Sequence, residues 1–194
     1  MINGYKCILG SGSPRRIELL RQIGILDEVV VSSIDESWPE GIQTNKVAEY
    51  VAVKKAEALN SRLYPGVLLI TADTTVINGQ EILNKPLHEQ EALEMLHSLC
   101  GKTHEVVTGV CITTSDCTIS FTERTRVTVS NPDEKFLRQY VKSGSPMDKA
   151  GGYGIQDVFG IVAVERIEGC FYNVIGLPVS KLLNTIYTRF PGVD

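Results

Sequence analysis

Two arginines stand side by side in Ser11-Gly12-Ser13-Pro14-Arg15-Arg16, where a helix is predicted to begin, and that is an electrostatically poor place for them. A helix N-terminus carries partial positive charge, so cations gathered there call for an anion. Free amides, the hydroxyls of Ser11 and Ser13 and two guanidinium groups converging on one point describe a phosphate site. The plainer alternative is a capped surface helix with both arginines solvated. Asp73 is a second candidate. It ends the apolar run Val67-Leu68-Leu69-Ile70-Thr71-Ala72, and a carboxylate just past the C-terminal end of a buried strand stands where α/β sheets place ligands. Thr74 and Thr75 follow it with hydroxyls; a turn-forming aspartate that caps local amides is the alternative.

Other groups are weaker singly. Asp35-Glu36 lies on a segment without helical pattern, where a carboxylate pair can hold a metal or be ordinary loop composition. Lys54-Lys55 falls on a predicted helix, and Lys85 is stiffened by Pro86. The stretch Asp148-Lys149-Ala150-Gly151-Gly152-Tyr153-Gly154-Ile155-Gln156 permits close backbone approach, and the Gln156 amide suits a nucleobase edge. A glycine-rich turn with a structural amide is the other reading. Asn173-Val174-Ile175-Gly176-Leu177-Pro178 reads as turn geometry. Together, the cations Arg15, Arg16, Lys55 and Lys85 facing the carboxylates Glu36 and Asp73 make the usual toolkit for nucleotide phosphate chemistry.

The elements that must position these groups alternate along most of the chain. Strands are predicted over 6–9, 28–32 and 67–72, and helices over 14–23, with Ser13 as N-cap, and 45–60. Asn78-Gly79 marks a hairpin between 75–77 and 81–83. A helix over 88–99 precedes two long strands, 103–114 and 118–129, rich in Val, Thr and Ile. A helix over 132–142 with N-cap Asn131, a strand over 160–166 and a helix over 178–188 complete the order. Such alternation predicts an α/β fold on one large mixed sheet.

Composition sets bounds. The chain has 194 residues, enough for one domain of moderate size or two small lobes, and is 43% hydrophobic and 22% charged, as in ordinary globular proteins. No apolar run approaches the roughly 20 residues of a membrane span, and no signal-peptide pattern opens the sequence, so a cytoplasmic protein is expected. Cys7, Cys100, Cys111, Cys117 and Cys170 form no CxxC pair and read as reduced thiols. His88, His97 and His104 lack zinc-site spacing to them. A net charge of −4 argues against a nucleic-acid partner and suits a small anionic ligand held by local basic pairs.

These residues, taken in order, resemble the Maf-like nucleotide pyrophosphatases, once described as septum-formation inhibitor proteins. The matching pieces begin with Ser11-Gly12-Ser13-Pro14-Arg15-Arg16-Ile17-Glu18-Leu19-Leu20, Ala72-Asp73-Thr74-Thr75-Val76 and Asn84-Lys85-Pro86. Gly101-Lys102-Thr103-His104-Glu105-Val106-Val107-Thr108-Gly109, the segment from Asp148 to Gln156 and the segment from Asn173 to Pro178 follow in the family's order. The resemblance implies a single domain over 1–194 without a visible linker. Its expected fold is an elongated mixed sheet flanked by helices and bent into two lobes with a central cleft, as in the inosine triphosphate pyrophosphatases. It also implies homodimers, and hydrolysis of a nucleoside triphosphate to the monophosphate plus pyrophosphate with a divalent cation, Mg²⁺ or Mn²⁺.

By the same resemblance, Asp73 is the catalytic acid/base and shares the metal with Glu36. Ser11, Ser13, Arg15 and Arg16 hold the triphosphate, and Lys55 and Lys85 neutralise its charge. Arg15, Thr74 and Gln156 match the branch acting on dTTP and UTP, so Arg15 is tied to substrate choice and Arg16 is a general phosphate cation. Gly152 and Asp157 depart from the family's frequent alanine and glycine. The competing expectations are a 7-methyl-GTP pyrophosphatase and a nucleotide-sensing or nucleic-acid-binding regulator of septum formation without turnover.

Overall fold

The apolar runs become the buried strands of one sheet. The computed structural model describes residues 1–192. Its strands are β1 (Lys6–Leu9), β2 (Glu28–Val29), β3 (Val67–Asn78), β4 (Glu81–Leu83), β5 (Thr103–Thr113), β6 (Thr118–Val129) and β7 (Val164–Glu168). The helices are α1 (Pro14–Gln22), α2 (Thr44–Ala58), α3 (Glu89–Leu99), α4 (Glu134–Lys142), α5 (Val158–Ala163), α6 (Phe171–Ile175) and α7 (Val179–Arg189). Among the described residues the strands form one seven-stranded sheet in the order β2-β1-β3-β5-β6-β7, with β4 also paired to β3. Its direction is mixed: β1 runs parallel to β2 and β3, whereas β4 is antiparallel to β3 and β7 to β6. The α/β fold on a mixed sheet expected from the alternation of elements is the one observed.

The chain divides into two compact units. The first comprises Met1–Asp73, Thr108–Glu123 and the segment from Gly176 onward; the second comprises Thr74–Val107 and Arg124–Ile175. In the first unit, Ile8, Ala52, Ala56, Leu59, Leu69 and Cys111 pack into one buried cluster between α2 and the sheet. The second unit has its own core, in which Leu96, Leu99, Val127, Leu137, Tyr140 and Phe159 are buried together.

Three expectations about the elements are corrected. β3 does not end at Ala72 but runs on as a single strand to Asn78. Thr74, Thr75, Val76 and Ile77 are strong strand formers, and the ladder finds new pairing. Besides β5, its neighbour in the sheet order, β3 pairs with β1 as far as Ile70 and with β4 from Val76 onward. Asp73 therefore sits in mid-strand, in the interval between those two partners, rather than past a strand end. The predicted strand over 160–166 is instead α5 followed by β7. A short apolar run cannot be assigned by periodicity alone, and packing decides here. Phe159, Gly160 and Ala163 are buried on one side, and a β carbon on Gly160 would lie 2.1 Å from the Ile155 carbonyl oxygen. The strand over 28–32 is reduced to Glu28–Val29, at the end of the sheet order, where pairing comes from β1 alone.

Helix starts also shift. Ser13 stands at the N-cap of α1, but its side chain makes no capping bond; Ser11 Oγ instead accepts the Ser13 N–H at 3.2 Å. α4 is capped by Asp133, whose carboxylate accepts the Phe136 N–H at 2.8 Å, rather than by Asn131.

Candidate active site

The first unit gathers most of the candidate chemistry around Asp73. Lys55 lies on the inward side of α2, with Val51, Ala52 and Ala56 buried beside it. Its side chain is only 10% exposed, and its ammonium is 2.8 Å from Asp73 Oδ1 and 3.0 Å from Glu36 Oε1. One cation thus joins a strand residue to a loop residue. The loop has its own supports: Asp35 accepts the backbone N–H of Ser37 at 3.0 Å, and Lys54 donates to the Ser37 carbonyl at 3.2 Å. Asp35 and Lys54 flank the predicted site residues in sequence and hold the Glu36 segment, roles that loop composition alone did not signal.

Arg16 is buried beneath the start of α1, and its bonds are directed inward. Nε donates to the Gly176 carbonyl at 2.8 Å, and one terminal nitrogen donates to the Ala72 carbonyl at 2.8 Å and to Ser11 Oγ at 3.2 Å. A single guanidinium therefore ties the β1–α1 turn, the backbone one residue before Asp73 and the entry to α7. Burial lowers the Arg16 pKa and the neighbouring Asp73 charge opposes that effect. The side chain stays a cation, since arginine is not deprotonated in proteins. Arg15 is half-buried at the same helix start. Arg16 is thus bonded within the protein to main-chain carbonyls, which have no signature in a sequence.

These bonds lead to a test of Arg16. Lysine keeps the charge but cannot reproduce the fork. Arg16→Lys is expected to lower stability by roughly 1–3 kcal/mol, because buried carbonyls lose donors, and to lower turnover as well. Urea unfolding and steady-state kinetics check both. Unchanged stability and near-normal rates in the variant would mean that charge alone matters at this position.

Thr74, Lys85 and Gln156 belong to the second unit. Thr74 follows Asp73 in β3 and so projects to the opposite face of the strand. Lys85 is exposed on the loop after β4, and Gln156 is exposed on the turn before α5. Their two segments meet through the backbone, where the Gly151 N–H donates to the Asn84 carbonyl at 3.1 Å.

Asp157, beside Gln156, lies 3.3 Å from the Lys149 ammonium. Burial works against the Asp157 carboxylate, but hydrogen bonds from Ser145 and Tyr140 and the charge of Lys149 outweigh it and hold its pKa below the usual range. His104 is buried on β5, and desolvation lowers its pKa to about 4, so it is neutral at physiological pH. Neither residue was singled out as functional from the sequence, since a lone histidine and an aspartate beside a turn carry no spacing signal.

Among the described residues no three histidine, cysteine or acidic side chains form a metal cluster, and no helix is long and apolar enough to cross a membrane. The arrangement in the first unit is that of a half-buried carboxylate, a second carboxylate joined to it through an ammonium, and a helix start with two arginines.

Comparison with known proteins finds relatives along nearly the whole chain. A protein of Bacteroides thetaiotaomicron named dTTP/UTP pyrophosphatase is 45% identical over 183 residues, covering 93% of this chain and 94% of that protein. One of the same name from Porphyromonas gingivalis is 45% identical over 185 residues, covering 94% and 93%. One from Caldicellulosiruptor saccharolyticus is 44% identical over 195 residues, covering 97% and 96%. Among solved structures, the Staphylococcus aureus Ham1 protein matches with a TM-score of 0.47 at 15% identity, over 64% of this chain and 72% of that one. The family described as Maf-like protein matches residues 6–189, and the chain belongs to that family.

Proposed function

We propose that this chain hydrolyses dTTP and UTP to the nucleoside monophosphate and pyrophosphate. The observation that carries the reading is identity of about 45% over 93% of the chain with proteins named for that activity. The bonding of Asp73, Lys55 and Glu36 to one another gives it a chemical basis.

The N-terminal amides of α1, the Ser11–Ser13 turn and Arg15 bind the triphosphate, as a helix start suits an anion. Asp73 accepts a proton from water as the water oxygen attacks the α-phosphorus. The bond from that phosphorus to the bridging oxygen breaks, and its electron pair leaves with pyrophosphate. Lys55 holds the Asp73 and Glu36 carboxylates toward one another, and Lys85 offsets charge on the phosphates. Little covalent work falls to the protein, so its contribution is positioning and electrostatics. The donor set fits a hard divalent cation: Glu36 and Asp73 offer carboxylate oxygens around one point, now bridged by an ammonium, and Mg²⁺ commonly binds one or two carboxylates together with substrate phosphates. When bound there, Mg²⁺ or Mn²⁺ would supply charge neutralisation for the triphosphate.

Gln156 and Thr74 read the pyrimidine edge in this proposal. The protein works in the cytoplasm, where its five free thiols stay reduced. It works as a homodimer, which would cover apolar side chains left exposed on one side of α5, Ile161 among them at 78%.

Measuring pyrophosphate release from dTTP, UTP, CTP, GTP and 7-methyl-GTP, with Mg²⁺ or Mn²⁺, tests the reading. The expected result is hydrolysis of dTTP and UTP at least about 10-fold faster than of the others, the scale of one hydrogen-bonding group left unpaired. Preference for a purine would sink the base assignment. Tight binding without turnover would make the protein a regulator.

A further inference from the structure

Gln156 presents a difficulty for the selection it is assigned. A primary amide carries one donor and one acceptor edge, and turned over it pairs as well with cytosine as with uracil or thymine. Discrimination therefore depends on where the main chain holds the amide. The side chain itself is exposed. The frame that carries it is not.

Two buried phenols support this turn. Tyr153, three residues before Gln156, is 5% exposed, and its hydroxyl lies 2.7 Å from Nε2 of His104, itself 1% exposed on β5. The other phenol is Tyr140 of α4, also 5% exposed. Its hydroxyl accepts the Gly154 N–H at 3.3 Å and donates to Asp157 Oδ2 at 3.0 Å. The same carboxylate oxygen accepts Ser145 Oγ at 2.7 Å and lies 3.3 Å from the Lys149 ammonium. Between the phenols lies Phe159, fully buried, with ring centroids 5.4 Å from Tyr140 and 5.2 Å from Tyr153. Asp157 closes the turn by donating its N–H to the Gly154 carbonyl at 3.1 Å. The backbone is thus bonded on both sides of Gln156, while its side chain is left exposed.

We propose that the hydroxyls of Tyr140 and Tyr153, with their partners Asp157 and His104, are positioning groups that fix the Gln156 turn and thereby set the preference for thymine and uracil over cytosine. None of them touches the base in this scheme. They remove the ordering cost of the turn before substrate arrives and restrict the amide to the orientation that suits a carbonyl at the pyrimidine 4-position. The inference rests on the pyrimidine reading of Gln156.

Tyr140→Phe and Tyr153→Phe each remove a single oxygen and keep the ring packing on Phe159. For each, kcat and KM are measured with dTTP and with CTP, beside Gln156→Ala and a thermal melt. The expected result is a ratio of kcat/KM, dTTP over CTP, reduced about 5-fold in either variant, the scale of one net hydrogen bond. It is expected to come mainly from a raised KM for dTTP, with kcat nearly unchanged. A role confined to stability would lower the melting temperature and the kcat for both nucleotides equally, leaving the ratio intact, and would overturn the proposal. If Gln156→Ala itself leaves the ratio unchanged, the base assignment fails. If it collapses the ratio while both phenylalanine variants keep it, only the anchoring role fails. Should either tyrosine variant not fold, Asp157→Ser removes the carboxylate from the same turn and is held to the same ratio.

Discussion

Asp73→Asn is expected to lower the rate of dTTP hydrolysis by about 10²–10⁴-fold, the range of a lost general base, while the protein stays folded. The substitution keeps size and shape in the middle of β3, where the side chain is 15% exposed. It leaves Lys55 with the Glu36 carboxylate at 3.0 Å, so the ammonium keeps a partner of opposite charge. What disappears is an acceptor for the proton of the attacking water. The amide oxygen still accepts a hydrogen bond from Lys55, so the local geometry is conserved as the chemistry is removed. Single-turnover measurement of pyrophosphate release, with a thermal melt on the same sample, separates the two. Turnover near that of the unmodified protein would remove Asp73 from the proton-accepting role. An equal loss of folded protein would assign the effect to structure.

The candidacy of Asp73 could be read in the sequence because a charged residue ends the run over 67–72. Its setting could not. Ending a strand at the first charge is a reasonable local rule. It fails here because the following residues are β-branched and β4 folds back to pair with them. The pair Arg15-Arg16 shows the same division. Its location at a helix start could be read from Ser13 and Pro14, and the structure places α1 there. That Arg16 turns inward could not be read, since its acceptors are the carbonyls of Ala72 and Gly176, contributed by residues 56 and 160 positions away. Backbone groups have no residue-type signal. Glu36 is a third case: composition offered Asp35 and Glu36 equally, the family resemblance pointed to Glu36, and in the structure Lys55 on α2 pairs with Glu36. The second unit hid more. The run around α5 is apolar enough for strand or helix, and the phenols proposed to anchor the Gln156 turn meet their partners only in the fold, Tyr140 with Asp157 and Tyr153 with His104.

Gly109→Ala is expected to be among the most destabilising single changes in the first unit, at more than about 3 kcal/mol, the upper end of overpacking costs. Gly109 lies on β5, and a β carbon there would stand 2.2 Å from the backbone nitrogen of Glu49 and 2.3 Å from the carbonyl carbon of Ala48. No rotamer change can relieve a clash with main chain, so α2 must move bodily or β5 must buckle. Trimming Ala48 to glycine would not help, because the obstructing atoms belong to the backbone. The helix is also held by the Glu49 side chain, whose carboxylate accepts Ser120 Oγ at 2.7 Å and Thr122 Oγ1 at 2.9 Å from β6. Displacing α2 therefore strains those bonds too. It also carries Lys55, about 9 Å farther along the helix at 1.5 Å per residue, away from Asp73. The folded fraction that survives should accordingly lose activity beyond the loss in stability. Urea unfolding gives the first quantity, and kcat per folded molecule, from active-site titration, gives the second. A midpoint unchanged by the substitution would mean that α2 and β5 do not meet at Gly109. A lower midpoint with normal kcat per folded molecule would leave the packing argument intact but uncouple it from the position of Lys55.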